Sequence, residues 1–317
     1  MGKNVRVRWV TNKERAELVN DPARFMVRGS GFVFLFGVFI PWPVNVVLSL
    51  LSGHMPNILR FVLAMAVPDA LILIVCAAFI MGYSQSSACG IKAPGWIPMC
   101  LAPFLQFAAY PFLLFVASFF SFLAPNNTLS MDNTESFLLQ LGPVWGYLLL
   151  CVFPALAEEL LCRGIIYGML RRRSAFAAFL MSTLCFSLMH GNFDQIAYSA
   201  LLGLLLCAVR EFTGSVFPCM LMHFLLNSIS VTMIYFGDDI FGPTLDVVQD
   251  TPRMSFWDEN SGLFAIGVIG IVIVIGLLLV LRHFSRYEHD DVVNKAVPFF
   301  ALPYLIGLVT RVVFIFI

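Results

Sequence analysis

An all-α, polytopic membrane bundle of about eight to nine transmembrane helices is what this sequence predicts, and three observations predict it. Of its 317 residues, 60% are apolar and only 12% are charged. The mean hydropathy is +0.88, far above that of soluble domains. Apolar runs long enough to cross about 30 Å of hydrocarbon recur along the chain, separated by short polar connections. A net charge of zero, with no compact Lys/Arg patch interleaved with aromatics, gives no reason to expect nucleic acid as a partner.

The elements follow in order. The first thirty or so residues are polar and carry Lys3, Arg6, Arg8, Lys13, Arg15, Arg24 and Arg28. The apolar run from Gly31 to Leu51 starts too late and is too long for a cleaved signal peptide, so it reads as a first span. Further candidates are 61–82, 97–123, 138–170, 174–191, 195–210, 215–236, 262–281 and 296–317. The fourth is overlong and holds Pro143 and Pro154, which predicts either a separate interfacial segment or a kink. A nine-span path puts the basic N-terminus, Lys92, Arg171 to Arg173, Arg210 and the segment with Arg282, Arg286 and Lys295 on one side, as the positive-inside rule wants. The opposite side receives 124–136, which lacks Lys and Arg, and the acidic connection 237–261. The triplet Asn126-Asn127-Thr128 there is a formal glycosylation sequon, a weak signal by itself. The chain thus divides into a basic cytoplasmic segment 1–30, N-terminal helices 31–136, a core 137–236, and 237–317, an acidic extracytoplasmic loop with the C-terminal helices.

Eight cysteines form no disulfide framework or CxxC metal knuckle. Seven lie in apolar runs, where cysteine behaves as a small hydrophobe, and Cys89 falls in a polar loop.

The core is set apart by charge. An ionisable group costs roughly 2.5 to 3.5 kcal/mol at the centre of a spanning helix, so Glu158, Glu159 and Arg163 together require partners, water or a task. Three pairs spaced by four residues, Glu159 with Arg163, Phe186 with His190 and His223 with Asn227, each share one helix face. At about 1.5 Å per residue, Glu158 lies roughly 20 Å above Arg171 and His190 roughly 25 Å above Arg173. His223 and Asn227 lie roughly 12 and 18 Å above Ser215. One shared polar site inside the bundle is compatible with these depths. Glu159 and Arg163 suit a structural ion pair, which leaves Glu158, about 100° away around the helix, as the carboxylate free for chemistry. A single intramembrane His or Asn is ordinarily interhelical glue; the set of a carboxylate, two histidines and an amide at matched depth points to a site. Pro154 lacks an N–H and so frees the carbonyl of Leu150, one turn before Glu158, where it could hold a water. Asp69 and Arg311 are intramembrane charges outside this block without an assigned role.

Glu158-Glu159-x-x-x-Arg163, Phe186-x-x-x-His190 and His223-x-x-x-Asn227 resemble the EExxxR, FxxxH and HxxxN motifs of the CPBP family of intramembrane proteases. These include CAAX prenyl endopeptidases and bacteriocin-processing or self-immunity proteins. Gly203 and the turn Thr213-Gly214-Ser215 fit the same pattern, and the resemblance covers roughly residues 140 to 235. Cys162 stands where many members carry an aromatic.

The resemblance implies an endopeptidase that hydrolyses a peptide bond with water activated inside the membrane. Glu158 would be the general base, with His190 orienting the water. His223 and Asn227 would donate to the developing oxyanion, and Glu159, Arg163 and Phe186 would support the site. No cofactor is favoured. The alternative is a zinc held by Glu158, His190 and His223 with water as the fourth ligand. Against it stand the absence of an HExxH helix and the presence of Asn227, which suits oxyanion binding better. The expected partners are a peptide or protein substrate, lipidated or not, and membrane lipids. The expected location is a bacterial plasma membrane in preference to a eukaryotic internal one. Two other classes fit less well: a non-catalytic scaffold or immunity protein that keeps the motifs, and a proton-coupled transporter, which would often show inverted repeats.

Overall fold

A computed structural model describes residues 22–82, 86–123, 131–172, 174–190, 193–241, 255–285 and 302–316. These residues form helices α1 (Pro22–Phe39), α2 (Pro41–Leu50), α3 (Asn57–Gly82), α4 (Trp96–Leu123) and α5 (Met131–Leu141). They continue as α6 (143–171), α7 (Ala175–Met189), α8 (Phe193–Thr213), α9 (Phe217–Phe241), α10 (Phe256–Ser285) and α11 (Leu302–Phe316). No strand occurs among the described residues. The chain is an all-α, multi-pass membrane bundle. Six described stretches are long and apolar enough to cross a membrane, and Ala175–Met189 and Pro303–Val312 are shorter apolar helices. The sequon and most of the acidic connection 237–261 lie outside the described residues.

Two expected spans are divided by their prolines. The first breaks where Pro41 begins α2, since proline suits the first position of a helix, where its missing N–H has no intrahelical partner to lose. The overlong fourth candidate is two helices: α5 ends at Leu141, Gly142 takes φ 79°, and Pro143 opens α6. Only glycine adopts that φ without strain. Tyr235 of α9 braces this break: its Oη shares its proton between Leu138 O at 2.6 Å and Gly142 O at 3.0 Å, carbonyls that also accept from Gly142 N and Gly146 N.

Helix α6 is the axis of the bundle, in contact with α1, α3, α7, α8 and α9. It is helical throughout but carries two π-helical stretches, Leu148–Val152 and Leu160–Ile166. The α-helical interval between them is Phe153–Glu159. Such wide turns cluster at functional sites, because they shift the register of side chains on one face. The second stretch is almost wholly buried, with Leu161, Cys162, Arg163, Ile165 and Ile166 at 0% exposure.

The basic end of α6 is bolted to α8. Arg171 donates to both carboxylate oxygens of Glu211 at 2.7 Å, and Tyr167 Oη donates to the same carboxylate. Residues 86–92, between α3 and α4, fold in against this end. Arg210 Nη2 donates to Ala88 O at 2.9 Å, Val216 N to Gly90 O at 3.0 Å and Ser215 Oγ to Lys92 O at 2.8 Å. A Cβ on Gly168 would lie 2.3 Å from Ala88 O, so glycine is what lets the loop reach α6. Cys89, read from sequence as a polar-loop residue, is therefore fully buried in the core. Burial pushes its thiol up to about 12, which keeps it protonated. All eight cysteines are free.

Candidate active site

Four helices bring the polar set together. Glu158 and Glu159 end the α-helical interval of α6. Arg163 lies in the π stretch just after it. Phe186 and His190 come from the end of α7, and His223 and Asn227 from α9. Gly203 of α8 lends its backbone.

Glu159 is the hub. Its Oε1 lies 2.8 Å from Arg163 Nη1 and 3.0 Å from His223 Nδ1, with Glu159 and Arg163 at 0% exposure. Arg163 Nη2 donates to the Gly203 carbonyl at 3.2 Å. A Cβ at Gly203 would meet Arg163 Nη2 at 3.4 Å and Thr183 Cα at 3.4 Å, so the missing side chain makes room for the guanidinium. Phe186 closes the group: its ring lies 4.1 Å from the Arg163 guanidinium carbon and packs edge-on to His190 at 4.8 Å and His223 at 5.4 Å. One aromatic ring thus carries a cation on its electron-rich face and spaces two imidazoles.

The hydrogen bonds select the tautomers. His190 Nδ1 lies 2.8 Å from the Phe186 carbonyl, which can only accept, so Nδ1 carries the proton and Nε2 is the working nitrogen. The Glu159 carboxylate likewise accepts from Nδ1–H of His223, a contact that the neutral imidazole and the imidazolium both make. Asn227 Nδ2 donates to Leu150 O at 3.0 Å. That is the carbonyl Pro154 was expected to free. Its partner is the Asn227 amide, where sequence reasoning had placed a water, because α9 packs directly on this part of α6. The amide keeps its second N–H for other use.

Glu158 differs from the rest. It is half-buried, and its Oε2 is buried with no hydrogen-bond partner. Asp69 of α3, left without a role by the sequence, interacts electrostatically with Glu158 and His223. Only the packing of α3 on α6 brings it there; the sole signal in the sequence is an aspartate within a span. Arg210 was read as a topology marker, yet its Nε donates to the Arg163 carbonyl at 3.1 Å. It therefore also supports the site helix.

Among the described residues no three His, Cys, Asp or Glu side chains gather as a group that could hold a metal ion. Each imidazole is oriented by its own Nδ1 contact, His190 to a backbone carbonyl and His223 to Glu159, and these contacts engage neither Nε2.

A half-buried carboxylate with an unbonded oxygen, two imidazoles anchored through Nδ1 and an amide inside a helical bundle make a membrane-embedded polar site suited to acid–base chemistry. Comparison with known proteins agrees. Residues 140–229 match the family described as Type II CAAX prenyl endopeptidase Rce1-like, under a third of the chain and the same stretch that carries the three motifs. The resemblance to CAAX-type proteases therefore stands, and at family level it supports a membrane protease. No curated protein and no solved structure matches the chain.

Proposed function

We propose that this protein is an intramembrane endopeptidase in which Glu158, without a metal, activates the water that hydrolyses the peptide bond. The observation that carries the reading is the contrast within α6. Glu158 and Glu159 each have one buried oxygen with no hydrogen-bond partner, but Glu159 is held through its other oxygen by Arg163 and His223, whereas the half-buried Glu158 is not part of that ion pair. An unbonded carboxylate oxygen beside fixed donors is poised to accept a proton.

In this scheme Glu158 takes a proton from water, and His190 Nε2 accepts from the same water to orient it. The nascent hydroxide attacks the scissile carbonyl. His223 donates to the oxyanion through Nε2–H as an imidazolium, with the Glu159 carboxylate at its Nδ1–H, and the second N–H of Asn227 donates beside it. Glu158 then returns its proton to the leaving amine, so the carboxylate is regenerated. Arg163 and Phe186 position Glu159 and the two imidazoles without touching substrate. The substrate is a peptide segment presented within or at the membrane, and prenylated C-terminal tails are the first class to try because the matched family is described by that activity.

The test is cleavage of quenched-fluorescent peptides, prenylated and plain, by purified detergent-solubilised protein. Glu158→Gln is expected to lower kcat/KM by about 10²–10⁴-fold, and His190→Ala and His223→Ala to be similarly impaired, with thermal unfolding near that of the parent for Glu158→Gln. A strong zinc chelator is expected to leave cleavage unchanged. Full activity in Glu158→Gln would sink the mechanism, and loss with chelator followed by recovery with zinc would move the site to metal chemistry.

A further inference from the structure

Asp69 is an intramembrane carboxylate that the mechanism above does not use. It is the thirteenth of the 26 residues of α3. That places it near the middle of a span, where a charge is costly and calls for a partner or a task. It is half-buried, and among the described residues no arginine or lysine is paired with it.

Packing fixes where Asp69 stands relative to Glu158. Helices α3 and α6 are in contact and run in the same direction. At their starting ends, Phe61 of α3 stacks on Phe137 of α5, just before α6 begins, with ring centroids 5.1 Å apart. At their far ends, the loop that follows α3 lies on α6, with Ala88 O against Gly168. Between these ends both helices converge on Gly37 of α1, where an added Cβ would lie 3.0 Å from Leu161 Cδ2 of α6 and 3.9 Å from Ile72 Cδ1 of α3. Leu161 and Ile72 are therefore at one level. Glu158 is three residues before Leu161, and Asp69 is three residues before Ile72. Three residues are nearly one helical turn and stay on the same side of the helix. The two carboxylates thus share a level on parallel, touching helices.

The electrostatics agree with the packing. Glu158, and then His223, are the charged groups that act on Asp69. During the proposed hydrolysis, negative charge leaves Glu158 as it takes a proton from water, and reappears on the substrate oxygen beside His223 and Asn227. A fixed carboxylate facing Glu158 favours that displacement, because repulsion between like charges in a low-dielectric site is relieved when Glu158 is neutralised.

We propose that Asp69 is a positioning residue for the hydrolysis: its carboxylate, level with Glu158 on the neighbouring helix, drives the proton of the attacking water onto Glu158. No bond to Asp69 forms or breaks in this role. The inference rests on the reading of Glu158 as the base.

The experiment uses the full chain in detergent and the quenched-fluorescent peptides of the preceding test. Asp69→Asn, nearly isosteric and uncharged, is expected to lower kcat about ten-fold with KM unchanged. Asp69→Glu, which keeps the charge, is expected to recover most of that loss; a loss as large as in Asp69→Asn would assign the effect to packing and overturn the proposal. In a Glu158→Gln background, Asp69→Asn is expected to change residual cleavage no further. A parent-like kcat in Asp69→Asn beside an inactive Glu158→Gln overturns the inference and leaves the Glu158 mechanism standing. Full activity in Glu158→Gln overturns that mechanism and the inference with it. Thermal unfolding tests the juxtaposition without any substrate. The shifts caused by Asp69→Asn and Glu158→Gln are expected not to sum in the double variant, since facing charges are coupled, and additive shifts overturn the proposal.

Discussion

Helices α8 and α10 solve opposite problems in the same bilayer. Of the six stretches able to span, the part of α8 from Gln195 to Thr213 is the least apolar and the most enclosed, with 44% of its most apolar window buried. Helix α10 is the most apolar and the least enclosed, with 11% buried. In water that order would be reversed. In lipid, tails are as apolar as leucine, so burial is reserved for groups that lipid cannot satisfy. Helix α8 spends its burial on Arg210, on the Gly203 carbonyl and on its packing against α7. By contrast α10 holds to the bundle by close approach: a Cβ on Gly270 would lie 2.1 Å from Ala108 O of α4, and one on Gly267 would lie 3.0 Å from Phe112 Cα. The lesson is that α8 is held by buried polar contacts as well as packing, and α10 by close approach at its glycines.

Substitutions can break or sharpen that contrast. The largest loss is expected from Arg163→Ala, which leaves the buried Glu159 with only His223. A cost of about 3–5 kcal/mol is expected for an uncompensated buried charge, read as loss of folded protein or a collapsed unfolding temperature in detergent. Unchanged stability would remove the polar lattice as a structural element. Gly270→Ala is next, with an expected loss of about 1–3 kcal/mol from the forced separation of α10 and α4. It should be visible in thermal unfolding while residual cleavage per folded molecule is retained. Asn227→Ala removes the side-chain donor to the Leu150 carbonyl, at about 1–3 kcal/mol, and with it the proposed oxyanion donor. Cleavage should fall about 10²–10³-fold, beyond what the stability change explains. At the small end, Val272→Leu on the lipid face of α10, where Val272 is 67% exposed, is expected to change stability by less than about 0.5 kcal/mol.

The sequence revealed more of the site than of its wiring. Glu158, Glu159, Arg163, Phe186, His190, His223 and Asn227 were each legible, because charge inside an apolar run is costly and spacing by four is a geometric statement about one helix. The pairing of Glu159 with Arg163 is of that local kind. The contact of His223 with Glu159 is not, since the two residues are 64 positions apart and meet only through the packing of α9 on α6. The burial of Cys89 was missed for the same reason. A polar loop reads as solvated until Arg210, Ser215 and Gly168 are known to receive it.

By itself, then, the sequence determined the class of solvent this chain lives in, the order of its helices, the division of the overlong fourth candidate at Pro143, and the residue types available for chemistry. All of these follow from hydropathy, proline geometry and helix periodicity, which act over a few residues. Only the tertiary structure decided that Glu159 is held a second time, by His223. It also decided which nitrogen of each histidine is occupied, and that the carbonyl freed by Pro154 is met by Asn227. Those outcomes depend on helix rotation and depth, and in α6 both are altered by two π-helical stretches. These displace side chains around the axis in a way that no count of three or four residues along the chain records.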